Sequence, residues 1–260
     1  MTRVDILQRI LDETRERLRS APPDEAALRE QVATMPPPPD ALASLRAPGV
    51  RVIAEVKRQS PSAGIIRAGV DPLHFARAYA NAGAAAISVL TEPVRFGGSL
   101  ADLASVAAEV AVPCLRKDFI VDAVQLVEAR AAGASMALLI VAALEQRELA
   151  RLLAEAQALG LTALVEVHTA DELARALDAG ATVVGVNNRD LKTFQIDLAV
   201  CEGLRPSIPA GVVAIAESGV TGPADVARLR RSGYDVFLVG QSLMTSSDPQ
   251  AALAALIEAS

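Results

Sequence analysis

The sequence predicts a single closed eight-stranded α/β barrel, a (β/α)8 or TIM barrel, with an N-terminal helical extension. Three observations point to it. First, a helical stretch that ends at glycine and runs straight into apolar residues recurs four times: Asn81-Ala82-Gly83-Ala84 before 85–90, Ala131-Ala132-Gly133-Ala134 before 136–141, Asp178-Ala179-Gly180-Ala181 before 182–186, and Arg231-Ser232-Gly233-Tyr234 before 236–239. Each glycine fits a left-handed helix C-terminal cap. Second, four further apolar runs, at 52–56, 112–115, 163–167 and 212–216, fall between these. A period of roughly fifty residues then holds two strand-helix units. Third, the runs are continuously apolar and separated by helix-length stretches, as parallel strands covered on both faces require. An open doubly wound sheet is the alternative fold. The even fourfold repeat and the missing Gly-x-Gly-x-x-Gly count against it.

Along the chain, residues 2 to about 20 place Val4, Leu7, Ile10, Leu11 and Leu18 at helical spacing among charges, predicting an amphipathic helix. A shorter helix is expected over 24–35, and Pro36 to Pro39 then impose an extended linker. Residues 1–50 therefore read as a helical extension, not a separate domain, and 51–260 as the barrel. In the run at 52–56, strand periodicity turns Glu55 and Lys57 toward one face, and Ser60, Pro61, Ser62 and Gly64 form a hydroxyl-rich loop beyond them.

In such barrels the chemistry lies at the carboxyl ends of the strands. The residues there are strongly polar. The second strand leads to Ser88, Thr91 and Glu92, then Phe96-Gly97-Gly98-Ser99, and the third to Arg116, Lys117 and Asp118. The fourth stays apolar through Leu138, Leu139 and Ile140, while the fifth gives Glu166 and His168 and the sixth Asn187, Asn188, Arg189 and Asp190. The seventh supplies Glu217, Ser218 and Gly219, and the eighth Gly240, Gln241 and Ser242.

Composition excludes several classes. A formal charge of -6 and a scarcity of aromatic residues argue against nucleic-acid binding. No apolar run approaches the eighteen or so residues of a membrane span. The charged N-terminus does not resemble a secretory signal peptide, so a cytoplasmic location is expected. Cys114 and Cys201 are too few for a disulfide framework or zinc site and read as buried thiols. Lys57, Lys117 and Lys192 are the only lysines among many arginines, and two of them end apolar strands, where a compact titratable ammonium has a use.

The ends of the last two strands, Ser218-Gly219 and Gly240-Gln241, stand where barrel enzymes present backbone N–H groups to a phosphate, and Ser60 is a candidate third contact. Glu55, Lys57, Lys117 and Glu166 are the acid and base candidates, expected on strands that neighbour one another around one sector of the mouth. His168 reads as a partly exposed loop residue, and the two histidines and few carboxylates make no recognised metal-ligand spacing. Phe96, Phe119, Leu138 and Leu191 are candidates for an apolar wall.

Taken in order, Glu55-Val-Lys57-Arg-Gln-Ser60-Pro61-Ser62, Ser88-Val-Leu-Thr-Glu92, Leu115-Arg-Lys117-Asp-Phe119, Leu164-Val-Glu166-Val-His168, Asn187-Asn-Arg189-Asp-Leu191 and Ala216-Glu-Ser218-Gly219 resemble the indole-3-glycerol phosphate synthase family. The resemblance implies closure of 1-(2-carboxyphenylamino)-1-deoxyribulose 5-phosphate to an indole with loss of carbon dioxide and water, a step of tryptophan biosynthesis that uses no cofactor or metal. It implies Lys117 as general acid, Glu166 as base, Lys57 as the cation assisting the carboxylate and the leaving hydroxyl, and Glu55 as the holder of that lysine and of a substrate hydroxyl. Asn187 and Arg189 match groups near the sugar hydroxyls and the carboxylate. Ser60, Glu217, Ser218, Gly219 and Gly240 match the surroundings of phosphate and ribulose, and Phe96, Phe119, Leu138 and Leu191 those of the anthranilate ring. Gln241 stands where the family often has Glu or Ser, which a backbone N–H contact tolerates. The resemblance also implies that the helical extension, 1–50, packs on the mouth of the catalytic barrel, 51–260.

On residue types alone, two other functions fit the scaffold. One is another enzyme of phosphorylated sugars, either an aldolase with Lys117 as Schiff base or an isomerase. The other is a non-catalytic binder of phosphorylated ligands, against which the intact acid and base set argues. The expected partner is a small phosphorylated substrate, with no nucleic acid or membrane, and the chain is expected as a monomer or weak homodimer.

Overall fold

A computed structural model of the chain describes residues 6–61, 63–67, 69–190 and 193–259. Eight parallel strands close into a barrel: β1 (Arg51–Val56), β2 (Ala86–Leu90), β3 (Cys114–Lys117), β4 (Met136–Ile140), β5 (Thr162–Val167), β6 (Val183–Asn187), β7 (Val213–Glu217) and β8 (Val236–Val239). Closure is made by β1 against β8, with Arg51 opposite Val236 and Ala54 opposite Val239. Each strand is nearly all buried because side chains pack inward on the barrel and outward on the helices. The glycines of the fourfold repeat, Gly83, Gly133, Gly180 and Gly233, all have φ between +84° and +96°, the left-handed cap that ends each helix and turns the chain into the next strand.

The β3 run begins two residues later than the apolar pattern suggests. Pro113 has no N–H for the ladder, though its carbonyl still accepts from Ile87. That shift brings Lys117 into the strand itself.

Three helices precede the barrel: α1 (Ile6–Ser20), α2 (Glu25–Thr34) and α3 (Ala41–Arg46). Asp24 and Asp40 cap α2 and α3, each carboxylate accepting a backbone N–H three residues on, at 3.0 and 2.9 Å. The apolar stripe of α1 buries Leu7, Ile10 and Leu11. This helix packs on the turn Val141–Ala143 that follows β4, and Glu13 pairs with Arg95 of the β2 loop at 2.6 Å. After β1, Gln59–Ser60 and Gly64–Ile65 form a small antiparallel hairpin. Among the described residues no helix is long and apolar enough to cross a membrane.

Candidate active site

The odd-numbered strands each send one ionisable side chain into the upper barrel: Glu55 (β1), Lys117 (β3), Glu166 (β5) and Glu217 (β7). They do not come from neighbouring strands, as the sequence analysis expects. One strand separates each pair, and the side chains meet because alternate strands share a layer of a barrel interior. Lys117 Nζ lies 3.4 Å from Glu166 Oε2 and 3.9 Å from Glu217 Oε2. Lys57 Nζ pairs with Glu55 Oε1 at 2.6 Å. The strand period thus sets both residues on one side, in contact.

Burial opposes the Lys117 charge, but Glu166, Glu217 and Glu55 outweigh it and hold its pKa above the ordinary lysine value. Lys117 is therefore a charged acid. At Glu166 burial raises the pKa, while Lys117, His168 and a hydrogen bond from Asn187 lower it and prevail, leaving a carboxylate. Glu55 follows the same balance, with Lys57 and Lys117 overcoming burial. Glu217 goes the other way: burial and the Glu166 charge push its pKa well up, and its buried Oε1 has no hydrogen-bond partner. A neutral Glu217 leaves the carboxylates of Glu55 and Glu166 facing the ammoniums of Lys57 and Lys117.

Two glycines, one in β6 and one just after β8, make room for these acids. A Cβ on Gly185 of β6 would stand 1.8 Å from Glu217 Oε1, and one on Gly240 would stand 2.5 Å from Glu55 Oε1. Gly240, a phosphate candidate from its position in the sequence, therefore also seats a carboxylate. Nothing in the pattern 183–187 signals the role of Gly185.

Two cavities meet at the charged layer. The first, about 920 Å³, is lined by Phe96, Phe119 and Leu138 together with Lys117, Glu166 and Asn187. The Phe96 and Phe119 rings are 6.1 Å apart and tilted by 41°. Glu92 fixes the loop beneath Phe96, its carboxylate accepting the N–H groups of Val94, Arg95 and Phe96 at 3.0, 2.6 and 3.0 Å. Ile6, Leu7 and Ile10 of α1 and Phe194 complete the apolar wall, and none of them is singled out by the strand-end reading. Ser60 lines this cavity, its Oγ accepting from the Ala63 N–H at 3.2 Å. Leu191 lies outside the described residues, as do Ser62 and Lys192.

The second cavity, about 930 Å³, lies at the ends of β7 and β8 and is lined by Gly219, Gly240 and Gln241. Glu55, Lys57, Arg189 and Ser218 line both. Ser218 takes φ +62°, a left-handed conformation that costs a residue with a Cβ roughly 1–2 kcal/mol. Asn188 fixes this turn, donating from Nδ2 to the carbonyls of Glu217 and Ser218, both at 3.0 Å. Arg189 is held beside it, donating from Nη1 to the Phe194 carbonyl at 3.4 Å, and its backbone N–H donates to Asn187 Oδ1 at 3.0 Å.

An enclosed acid and base beside an apolar slot, with a cation-edged glycine rim at one end, suit an elongated substrate with an aromatic and a phosphorylated end. Comparison with known proteins agrees. The family model for indole-3-glycerol phosphate synthase matches residues 7–256. The chain is 52% identical over 258 residues to indole-3-glycerol phosphate synthase 1 of Streptomyces coelicolor, covering 98% of this chain and 96% of that one. It is 49% identical over 261 residues to the indole-3-glycerol phosphate synthase of Mycobacterium bovis, covering 100% and 96%. The chain belongs to the indole-3-glycerol phosphate synthase family.

Solved structures outside the indole-3-glycerol phosphate synthase family share the barrel alone. 3-Hexulose-6-phosphate synthase from Salmonella typhimurium superposes with a TM-score of 0.65 at 15% identity, over 80% of this chain and 97% of that one. Thiamine phosphate pyrophosphorylase from Pyrococcus furiosus gives 0.60 at 15%, over 80% and 93%. His168 lies in the bend after β5, a loop residue whose side chain is 12% exposed, and it faces Glu166.

Proposed function

We propose that the chain converts 1-(2-carboxyphenylamino)-1-deoxyribulose 5-phosphate to indole-3-glycerol phosphate, with Lys117 as general acid and Glu166 as general base. The observation that carries this reading is the contact of a charged lysine and an ionised glutamate, 3.4 Å apart, on the floor of an apolar slot. Attack of the aniline ring carbon on the ketone forms the new carbon–carbon bond and places negative charge on the ketone oxygen. The Lys117 ammonium donates a proton there. Loss of the ring carboxylate as carbon dioxide returns its electron pair to the ring. In the dehydration that follows, Glu166 takes a proton and the hydroxyl leaves as water with the help of Lys57, which Glu55 holds in place.

The anthranilate ring occupies the slot of Phe96, Phe119 and Leu138. The phosphate meets the rim of Ser218, Gly219, Gly240 and Gln241, with Ser60 toward the ribulose. Asn187, Arg189 and Glu217 border the sugar and the carboxylate. The α1 helix closes the apolar end, and the reaction runs without metal or cofactor. The chain is a cytoplasmic enzyme acting as a monomer or weak homodimer, which fits its net charge of -6 and its single self-contained barrel.

Indole emission tests the reading directly, because the chain contains no tryptophan and its background is low. Adding the substrate to the protein in excess chelator is expected to give emission that grows with enzyme concentration. Substrate binding without emission points instead to another reaction on this barrel.

A further inference from the structure

His168 stands two residues beyond Glu166, so the strand period turns both side chains the same way. Its two ring nitrogens face two different carboxylates. Nε2 is 3.5 Å from Glu166 Oε1, and Nδ1 is 3.3 Å from Glu172 Oε2 on α4 (Ala170–Asp178). The same Glu172 oxygen accepts the His168 backbone N–H at 2.7 Å, which fixes the carboxylate beneath the ring. Nε2 is buried and makes no hydrogen bond, so its link to Glu166 is the charge contact at 3.5 Å. A neutral imidazole presents a proton to only one of the two acids and a lone pair to the other. The doubly protonated ring suits both.

We propose that His168, anchored by Glu172, is a positioning residue that acts on the reaction through Glu166, holding its carboxylate in place and keeping it ionised. The proposal rests on the reading of Glu166 as the base. Burial opposes the imidazolium, but the hydrogen bond to Glu172 and the charges of Glu166 and Glu172 prevail and raise its pKa, while Lys117 acts weakly against it. Around Glu166 the other facing groups are Lys117 on β3, Glu217 on β7 and Glu55 on β1, with the neutral Asn187 on β6. Of these only Lys117 is cationic, and it is the group that must give up its proton. His168 supplies a second positive charge that does not take part in the transfer. The base therefore stays ionised when Lys117 is spent.

The test is the pH profile of turnover for His168→Gln and Glu172→Gln beside Glu166→Gln. Loss of the imidazolium removes an attraction that lowers the Glu166 pKa. In His168→Gln the acid limb of kcat is expected to move up by about one pH unit, within the range for an opposite charge at this distance. On the acid limb turnover falls about tenfold, while turnover at neutral pH and KM stay within about twofold, since Glu166 is still ionised there and the substrate's own contacts are untouched. Glu172→Gln, which keeps the shape, shifts the limb in the same direction by less. If Glu166→Gln abolishes turnover while both other variants keep the native acid limb, the His168 role is overturned, and any loss of amplitude is then a folding defect. If Glu166→Gln retains turnover, the base assignment itself fails and the role of His168 falls with it.

Discussion

Lys117 and its two sequence neighbours, Arg116 and Asp118, are all enclosed, yet strand alternation sends them to opposite sides of β3 and into different chemistry. Arg116 and Asp118 point toward the helices. There Arg116 donates to the Gln125 carbonyl at 2.5 Å, to Glu128 at 3.0 Å, to Asp118 at 3.0 Å and to Thr91 at 3.3 Å. Asp118 accepts from the Thr91 hydroxyl at 2.7 Å and from the Phe119 N–H at 2.9 Å. Lys117 points into the barrel, where its contacts are longer, at 3.4 and 3.9 Å, and where Glu217 Oε1 and His168 Nε2 are buried without hydrogen bonds. A buried polar network that satisfies its members stiffens a fold. One that leaves donors and acceptors waiting has capacity for a substrate.

This contrast is sharpened first by Gly185→Ala. The added methyl collides with Glu217 and displaces it against Lys117 and Glu166. Turnover is expected to fall about a hundredfold, the scale of a misplacement near 1 Å at a reacting centre. Near-native turnover in a folded Gly185→Ala enzyme contradicts a catalytic need for the Glu217 seat.

A smaller effect is expected from Glu217→Gln, read as the pH dependence of stability. The folded pKa of Glu217 is raised above the ordinary 4.5, so between those two values the folded state binds the proton that the unfolded chain has released. Its contribution is fully present below the unfolded value and is lost as pH rises through the folded one. Urea unfolding at about pH 5 and about pH 8 should therefore show the variant losing less stability with rising pH than the native protein. Equal slopes count against a neutral Glu217.

Much of this arrangement is legible in the sequence. The barrel follows from continuous apolar runs closed by left-handed glycines, a local pattern that fixes strand after strand. Glu55 and Lys57 are legible for the same reason, because a period of two suffices to pair them. The α3 helix is too short to show a period, although its Asp40 cap is present in the sequence. His168 is legible as a partly exposed loop residue but its contacts are not, because Glu172 belongs to the following helix and only the turn between them brings the carboxylate back under the ring. The seat that Gly185 gives Glu217 depends on register between β6 and β7, which no single strand encodes. The apolar residues of α1 are legible as a stripe but not as cavity wall, since the surface they cover lies far along the chain.

The most direct test measures turnover and urea midpoint side by side in Lys117→Met and Arg116→Met, neighbours in sequence with opposite facings. Lys117→Met is expected to lose two or more orders of magnitude in turnover, the range for removing a general acid, with a modest stability loss because Glu166 can take a proton from the adjoining cavity. Arg116→Met is expected to lose about 3–5 kcal/mol of stability, since Asp118 is left sealed without its cation, while the molecules still folded turn over near the native rate. Near-native turnover in Lys117→Met, or an Arg116→Met protein that is stable yet inactive, contradicts the division between a catalytic inner face and a structural outer one.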